Sequence, residues 1–123
     1  LDQLDAAGVN YDVTTDFKAT IPDADAIYMT RVQSEWDNPD GEKPKYNWAD
    51  YSFTAADLLV LKRTGVILHP LPRRQELDPA CDNDPRAVYW RQMRNGMWIR
   101  CALIANIFGR EQEITHYYMM NLK

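Results

Sequence analysis

The side chains best suited to chemistry follow two short apolar runs. One run ends in Thr30-Arg31-Val32-Gln33, and the other ends in His69-Pro70-Leu71-Pro72-Arg73, which we call the elbow. Arginine can bind a carboxylate through two parallel hydrogen bonds, and glutamine can both donate and accept. Because proline has no backbone N–H, the elbow cannot continue strand pairing, and its carbonyl oxygens can accept from an N–H₂ group. The two segments predict a ligand that carries a carboxylate and an amide or amine.

Two of these residues have structural alternatives that the sequence leaves open. Arg31 could make only an ion pair within the fold, without touching a ligand. His69, at the end of a strand, could be a hydrogen-bonded structural residue or a base, and the first role is the commoner one for an isolated histidine. Neither residue is assigned by its type alone.

Two predicted strands position the candidate residues. Ala26–Met29 is a compact apolar run, typical of a strand covered on both faces, and Val66–Leu68 is too short for a helix. A short helix, capped near Asp16 and closed by Pro22, precedes the first strand. Alternating strands and helices predict an α/β fold, a three-layer sandwich with a mainly parallel sheet and helices on both faces. Since ligands bind outside the carboxyl ends of such strands, Arg31 and the elbow should meet at one crevice.

Further elements are predicted from periodicity and capping signals. They are the end of a helix at Leu1–Gly8, a strand at Val9–Val13, a helix at Ala55–Lys62 and a long helix from about Arg86 to about Phe108. Asp84 and Pro85 provide an N-cap and first residue for the long helix, and Gly109 ends it. Its apolar side chains recur every three or four residues, so we expect them to pack on the sheet as core. They are Trp90, Met93, Met97, Cys101, Ile104 and Phe108.

Composition excludes several classes of function. The 123 residues carry a net charge of -4, which argues against a nucleic-acid or anionic-membrane surface, and no apolar run is long enough to span a bilayer. Cys81 and Cys101 lack metal-ligand spacing and predict reduced thiols in a cytosolic protein. Asp82-Asn83-Asp84 lacks the later glycine and glutamate of a calcium loop, so we predict no metal site. Phosphate-loop and dinucleotide motifs are absent as well.

Three segments of the chain resemble the C-terminal, aspartate-binding domain of the aspartate carbamoyltransferase family. They are Asp25-Ala-Ile-Tyr-Met-Thr-Arg-Val-Gln33, His69-Pro-Leu-Pro-Arg73, and Asp84-Pro-Arg-Ala-Val-Tyr-Trp-Arg-Gln-Met93 followed by Asn95-Gly96 and Arg100. The sister ornithine enzymes carry a cysteine where this chain has Pro70, which favours the aspartate enzymes. The resemblance implies a Rossmann-like domain over residues 1–110, followed by a tail over residues 111–123 to which no role is assigned.

The resemblance also implies roles for individual residues. Arg31 would hold a carboxylate of L-aspartate, with Gln33 beside it in support. The elbow backbone at Pro70, Leu71 and Pro72 would contact the carbamoyl group of carbamoyl phosphate, and the Leu71–Pro72 peptide bond would be cis. The supporting residues would be Glu35, His69, Arg73 and Arg100.

The implied partners lie largely outside these 123 residues. The family's carbamoyl-phosphate domain, which holds the phosphate loop and the catalytic histidine, is absent, so we expect it on a companion domain or chain. The family's active sites lie between subunits, so we expect a homotrimer or a higher oligomer. The resemblance implies a cytoplasmic enzyme that needs no cofactor.

The chain departs from the family's usual pattern at the loop over residues 34–51 and after the elbow. Ser34 and Trp36 replace a lysine and an arginine on either side of Glu35, and Gln75 stands where an aspartate is common. A non-catalytic relative, kept as a structural or regulatory subunit, is therefore the alternative to an enzyme.

Overall fold

The computed structural model describes residues 1–31 and 47–121. Helices α1 (Asp2–Ala6) and α2 (Phe17–Thr20) precede strand β1 (Ala26–Tyr28), and strand β2 (Val66–Leu68) follows it. Two longer helices, α3 (Tyr89–Ile107) and α4 (Glu111–Asn121), complete the described chain. Short 3₁₀ turns lie at Ile21–Asp23, Trp48–Tyr51, Asp57–Leu59 and Pro79–Cys81. The predicted α/β fold is confirmed.

The parallel sheet predicted from the two apolar runs is confirmed as well. β1 and β2 run parallel, with Ala26 opposite Val66, Ile27 opposite Ile67 and Tyr28 opposite Leu68. On the other edge of β2, the Ile67 N–H donates to the Arg86 carbonyl at 2.8 Å. The Ile67 carbonyl accepts from the Val88 N–H at 3.0 Å. Residues 86–88 therefore add a third, one-bridge partner to the sheet.

This extra pairing corrects the predicted start of the long helix. The helix begins at Tyr89 and not at Arg86, because the backbone of residues 86–88 is bonded to β2. The carboxylate of Asp84 accepts from the Arg86 N–H at 2.9 Å and so caps a turn instead of the helix. The predicted end is confirmed, since α3 ends at Ile107 and Gly109 has a φ of +63°, the left-handed conformation that glycine adopts freely.

The hydrophobic core lies around β2 and the segment that follows the elbow. Phe53 pairs with this segment, because its N–H donates to the Glu76 carbonyl at 2.8 Å and its carbonyl accepts from the Asp78 N–H at 2.9 Å. The core side chains are Ile21, Ile27, Met29, Phe53, Leu61, Ile67, Leu77, Cys81 and Tyr89. Core residues, Ile67 and Leu77, therefore lie on both sides of the elbow in the chain, which restricts where its backbone can lie.

The strand predicted at Val9–Val13 is wrong. This segment has no strand structure, and Val9 and Val13 are 48% and 76% exposed. Alternation stabilises a strand only when its apolar face is covered by a neighbouring element, and the described residues provide no such cover here. The expectation that β1 is covered on both faces is also wrong for this chain, because Ile27 is buried whereas Tyr28 is 55% exposed.

The helix predicted at Ala55–Lys62 is wrong too, although its cap chemistry is present. The Asp57 carboxylate accepts from the Thr54 N–H at 2.7 Å and from the Thr54 hydroxyl at 2.8 Å. It also pairs with the Lys18 ammonium, which donates to the Ser52 carbonyl at 2.6 Å. Only the 3₁₀ turn at Asp57–Leu59 follows.

The guanidinium group of Arg86 donates to backbone carbonyl oxygens that would accept hydrogen bonds within the helix if it continued. Arg86 donates to the carbonyls of Leu58 at 2.9 Å and Leu61 at 2.8 Å, while its other N–H groups bind Asp84. Because an arginine fork satisfies these backbone acceptors, the chain can turn toward β2 without completing a helix.

The apolar stripe predicted as core on α3 is largely exposed in this chain. Among the residues of α3, only Tyr89 and Ala105 are buried, and Gln92 in its first turn bonds to His69, which directly follows β2. The stripe residues Trp90, Met93, Met97, Ile104 and Phe108 are between 44% and 74% exposed, and Cys101 is exposed. The prediction fails because the stripe extends past the core and has nothing to cover it among the described residues.

Candidate functional site

The parallel register brings the two predicted segments to one edge of the sheet. Tyr28 and Leu68, the last residues of β1 and β2, lie opposite each other, and the Met29 N–H donates to the Leu68 carbonyl at 2.9 Å. Arg31 follows β1 by three residues and is half-buried, and the elbow begins directly after β2. Gln33 and Glu35 lie outside the described residues. The carboxyl ends of the two neighbouring strands thus lie side by side, and the binding roles of the residues that follow them stay a prediction.

The elbow contains the cis peptide bond that the family resemblance implies. The peptide bond between Leu71 and Pro72 is cis, and Leu71 has a φ of 51°, in the left-handed region that a leucine rarely adopts. Its N–H donates to Nδ1 of His69 at 2.8 Å. Pro70 and Pro72 have no N–H, so Leu71 supplies the single backbone donor at positions 70–72.

His69 is buried and uses both of its ring nitrogens. Its Nδ1 accepts from the Leu71 N–H, and its Nε2 lies 2.8 Å from Oε1 of Glu76. Because Nδ1 is an acceptor here, the ring proton must be on Nε2, where it is donated to the carboxylate. The side chain is 0% exposed. The geometry thus assigns His69 the structural role that the sequence left as one of two alternatives.

Glu76 is a residue of the site that the sequence reading missed. Only 2% of it is exposed, and its Oε1 also accepts from the Arg74 N–H at 2.9 Å. Burial raises the pKa of its carboxyl group, but hydrogen bonds from the backbone N–H groups of Arg74 and Glu76 and from His69 outweigh burial, so its pKa is lowered. Its one sequence signal was its place directly before Leu77, which returns to the core.

Gln92 joins α3 to both strand ends. Its Oε1 accepts from the backbone N–H of His69 at 3.0 Å, and its Nε2 donates to the Tyr28 hydroxyl at 2.9 Å. An amide is suited to this position because it donates and accepts at once. The start of α3 is therefore fixed against the edge of the sheet where the elbow begins.

A cleft of about 520 Å³ lies between this edge and α3. Of the predicted residues, His69, Pro70 and Arg100 line it. The other lining residues are Tyr28, Leu68, Val88, Arg91, Gln92, Met93, Asn95, Gly96 and Ile99. Two guanidinium groups and two amides among mostly apolar walls suit a small anionic ligand with hydrogen-bonding groups.

Gly96 lies in the wall of this cleft, inside an unbroken helix. The sequence predicted a kink or a close approach to a neighbouring backbone at Asn95-Gly96, and no backbone among the described residues makes such an approach. A Cβ atom built at Gly96 would meet only Nη1 of Arg100, at 3.4 Å. The missing side chain therefore leaves room for the Arg100 guanidinium within the cleft.

Arg73, the last residue of the elbow, is held by an aspartate and two aromatic rings. Its guanidinium pairs with Asp82 through two hydrogen bonds and packs beside the rings of Tyr89 and Trp90. The bonds from Arg73 lower the pKa of Asp82 to about 2, and the Tyr89 hydroxyl also donates to Asp82. Asp84 binds Arg86 in the same way, so the acidic segment Asp82-Asn83-Asp84 contributes two ion pairs.

Other features of the described chain complete the chemical inventory. No group of three or more His, Cys, Asp or Glu side chains in residues 1–31 and 47–121 is placed to hold a metal ion. Cys81 and Cys101 are both free thiols, and burial together with nearby aspartates raises the pKa of Cys81 to about 11. None of the described helices is long and apolar enough to cross a membrane.

Comparison with known proteins identifies relatives that match most of this chain. The family description "Aspartate/ornithine carbamoyltransferase, Asp/Orn binding domain" matches residues 2–107. An aspartate carbamoyltransferase catalytic subunit of Vibrio cholerae is 40% identical over 108 residues, which cover 88% of this chain and 34% of that protein. The multifunctional protein pyr1-3 of Dictyostelium discoideum is 35% identical over 87% of this chain and 5% of its own length.

Solved structures show the same likeness. Aspartate transcarbamoylase from Trypanosoma cruzi in complex with carbamoyl phosphate has a TM-score of 0.67 and 33% identity, and the match covers 84% of this chain and 33% of that one. The same enzyme with carbamoyl aspartate and phosphate has a TM-score of 0.64 and 32% identity, over 84% of this chain and 30% of that one. The present chain thus spans about a third of the length of the catalytic subunits it matches.

Proposed function

Because the chain belongs to the aspartate/ornithine carbamoyltransferase family and corresponds to its Asp/Orn binding domain, we propose that it is the L-aspartate-binding part of an aspartate carbamoyltransferase. The complete enzyme transfers the carbamoyl group of carbamoyl phosphate to the amine of L-aspartate. The amine nitrogen attacks the carbamoyl carbon, the bond from that carbon to the phosphate oxygen breaks, and the amine loses a proton. The products are N-carbamoyl-L-aspartate and phosphate. The reaction is an early step in pyrimidine biosynthesis.

The observation that carries the proposal is the meeting of two strand ends at one sheet edge. The register of Tyr28 and Leu68 supports a site in which Arg31 approaches from one strand and the elbow from the other. Pro70 favours aspartate over ornithine as the substrate, as does the similarity to the aspartate carbamoyltransferase catalytic subunit of Vibrio cholerae. No cofactor is needed, because positioning and charge stabilisation suffice for attack on an activated carbamoyl carbon.

Each site residue has a role in this proposal. Arg31 holds a carboxylate of L-aspartate, with Gln33 beside it and Glu35 orienting its guanidinium. The elbow carbonyls of Pro70 and Leu71 accept from the carbamoyl N–H₂ group, and the Pro72 backbone packs against it. His69 and Arg73 support the elbow through the contacts described above, and Arg100 faces the cleft that the reacting groups would enter.

A companion carbamoyl-phosphate domain or chain is part of the proposal. The exposed apolar stripe on α3 supports it, because contiguous apolar surface of this kind is commonly covered by a partner. That partner would close the cleft from the side that the described chain leaves open. We further propose a homotrimer or higher oligomer, and a cytoplasmic location, which agrees with the two free thiols.

The test is reconstitution of the complete enzyme. This chain, joined to its companion domain or mixed with the companion chain, should form N-carbamoyl-L-aspartate and bind N-(phosphonacetyl)-L-aspartic acid. Replacing Arg31→Ala should lower kcat/KM for L-aspartate by about 10- to 100-fold, since a hydrogen-bonded charge is lost. Arg63→Ala is the matched control, because Arg63 is exposed and lies before the amino end of β2, whereas the elbow follows its carboxyl end.

Two results would contradict the proposal. If the Arg31 and Arg63 variants lose the same activity, Arg31 does not bind substrate. If the assembled complex neither turns over nor binds the bisubstrate analogue, the chain is the non-catalytic structural or regulatory subunit that was the alternative.

A further inference from the structure

The elbow is held by a short relay of buried hydrogen bonds. Oε1 of Glu76 lies 2.8 Å from Nε2 of His69, and Nδ1 of the same ring accepts from the Leu71 N–H at 2.8 Å. Both side chains of the relay are almost completely buried, at 2% and 0% exposure. The relay therefore lies out of reach of solvent and ends on the elbow backbone.

The two prolines make this relay decisive for the elbow. Pro70 and Pro72 have no N–H, so the Leu71 amide is the one backbone donor by which positions 70–72 can be fixed. Leu71 also has a φ of 51°, which a leucine adopts only when its surroundings impose it. In this conformation the Leu71 N–H donates to the imidazole of His69.

We propose that Glu76 is a positioning residue for carbamoyl transfer, which holds the proton of His69 on Nε2 so that Nδ1 can fix the Leu71 amide and aim the elbow carbonyls. The proposal rests on the function proposed above, in which those carbonyls contact the carbamoyl group. If the proton moved to Nδ1, that N–H would face the Leu71 N–H, and two donors would oppose each other. A carboxylate at Glu76 excludes this arrangement because it only accepts.

The experiment uses the complete enzyme and four variants. Glu76→Gln allows the amide to present N–H₂ to the imidazole, so the wrong tautomer becomes accessible. His69→Phe removes the acceptor for the Leu71 N–H, whereas His69→Asn restores one, because an asparagine oxygen can accept from the N–H two residues later. Asp57→Asn is the matched control, a carboxylate that is 9% exposed, binds a backbone N–H and lies outside the site.

The expected result is a graded loss in kcat/KM for carbamoyl phosphate. His69→Phe should lose about 100-fold and Glu76→Gln about 10-fold, because a small displacement of positioning groups has effects of this size. His69→Asn should recover most of the loss seen in His69→Phe. Asp57→Asn should lower the thermal midpoint and leave both kinetic constants of the folded enzyme unchanged.

Hydrogen exchange at the Leu71 amide gives a readout that does not depend on turnover. This amide should be protected in the wild type, in Asp57→Asn and in His69→Asn, and it should exchange faster in His69→Phe and Glu76→Gln. A variant that fails to fold is identified by global loss of protection, and the remaining His69 or Glu76 variants then decide.

Two outcomes separate this proposal from the function on which it rests. If the wild type forms carbamoyl aspartate and the Glu76 and His69 variants change only thermal stability, as Asp57→Asn does, the positioning role is wrong and the function stands. If the wild-type complex is inactive, both are overturned.

Discussion

At the scale of single residues, two arginines form ion pairs with aspartates and have structural roles that the sequence did not predict. Arg73 is the last residue of the elbow and is predicted to support the site, and its guanidinium is held by Asp82 and two aromatic rings. Arg86 was expected inside a helix, and it instead satisfies backbone carbonyls of the preceding segment. The first pair joins the elbow to the segment at Asp82, and the second joins the segment at Asp84 to the turn before β2.

The Arg73–Asp82 pair predicts a specific pH dependence of stability. Asp82 has a pKa of about 2 in the folded chain, below its ordinary value of 3.8, because Arg73 and Tyr89 bond to its charged form. A carboxyl group whose pKa is lower in the folded chain stabilises the fold at pH values above its pKa in the unfolded chain. This stabilisation is lost as the pH falls from about 4 to about 2. Asp82→Asn should therefore be less stable than the wild type at pH 5, and the difference should shrink toward pH 2.

Urea unfolding midpoints of the two proteins, measured between these pH values, check this prediction. Asp2→Asn is a suitable control, because Asp2 lies on the exposed helix α1, away from the pair. A difference between Asp82→Asn and the wild type that stays constant from pH 5 to pH 2 would show that the ion pair adds nothing to folding.

At the scale of elements, local signals predicted the two paired strands and two helix ends, but they failed for the strand at Val9–Val13 and for the start of α3. β1, β2 and the left-handed glycines at Gly8 and Gly109 were predicted, because apolar runs and helix stops are written in neighbouring residues. The start of α3 was not, because it depends on bonds from residues 86–88 to β2, far away in sequence. The same holds for the turn at Asp57–Leu59, whose partners are Lys18 and Arg86.

The candidate site divides in the same way. The elbow, its cis bond and its place beside the end of β1 follow from the Pro-Leu-Pro pattern and the family resemblance. Glu76 and Gln92 could not be predicted, since both depend on contacts with His69 that no local pattern records. Burial of a carboxylate becomes understandable only once its imidazole partner is known.

Gly96 provides a prediction about α3. Glycine in a helix costs about 1 kcal/mol relative to alanine, so Gly96→Ala should stabilise the folded chain by up to that amount. The new Cβ would lie 3.4 Å from the Arg100 guanidinium and would narrow the cleft. We therefore expect a higher unfolding midpoint together with lower kcat/KM in the complete enzyme.

Calorimetry and steady-state kinetics on the same preparation test both halves of this expectation. Ala105→Gly at the buried end of α3 is the opposite control, since it should lower stability without touching the cleft. If Gly96→Ala is stabilised and fully active, the glycine is not required by the cleft.

At the scale of the whole molecule, the described chain leaves its longest helix partly uncovered. The stripe along α3 was predicted correctly as an apolar face and wrongly as the core of this chain. A sequence pattern shows that a face is to be buried, but it does not show whether the partner belongs to the same domain. About two thirds of each catalytic relative lies outside the match, which leaves ample chain to provide that partner.

Cys101 offers a test of the proposed companion domain. It is exposed on the stripe, whereas Cys81 is buried and its raised pKa of about 11 keeps its thiol protonated and slow to react. In the described chain alone, a thiol reagent should modify Cys101 quickly and Cys81 only on unfolding. Docking of the companion domain should protect Cys101, which mass spectrometry of the labelled protein would measure. Equal labelling of Cys101 with and without the companion would place the docking surface elsewhere.

The bridge between Ile67 and Ala87 has a consequence for the order in which the fold assembles. Pairing Ile27 with Ile67 closes a loop about twice as long as pairing Ile67 with Ala87 does, and the longer loop costs about 0.6 kcal/mol more in chain entropy. The shorter loop contains the elbow and Glu76, whereas Arg31 arrives only with the longer one. The side of the site that would receive the carbamoyl group should therefore form early, and the side for aspartate should join it later. Truncation of Ile67 should slow folding, whereas truncation of Ile27 should mainly speed unfolding, as stopped-flow kinetics can distinguish.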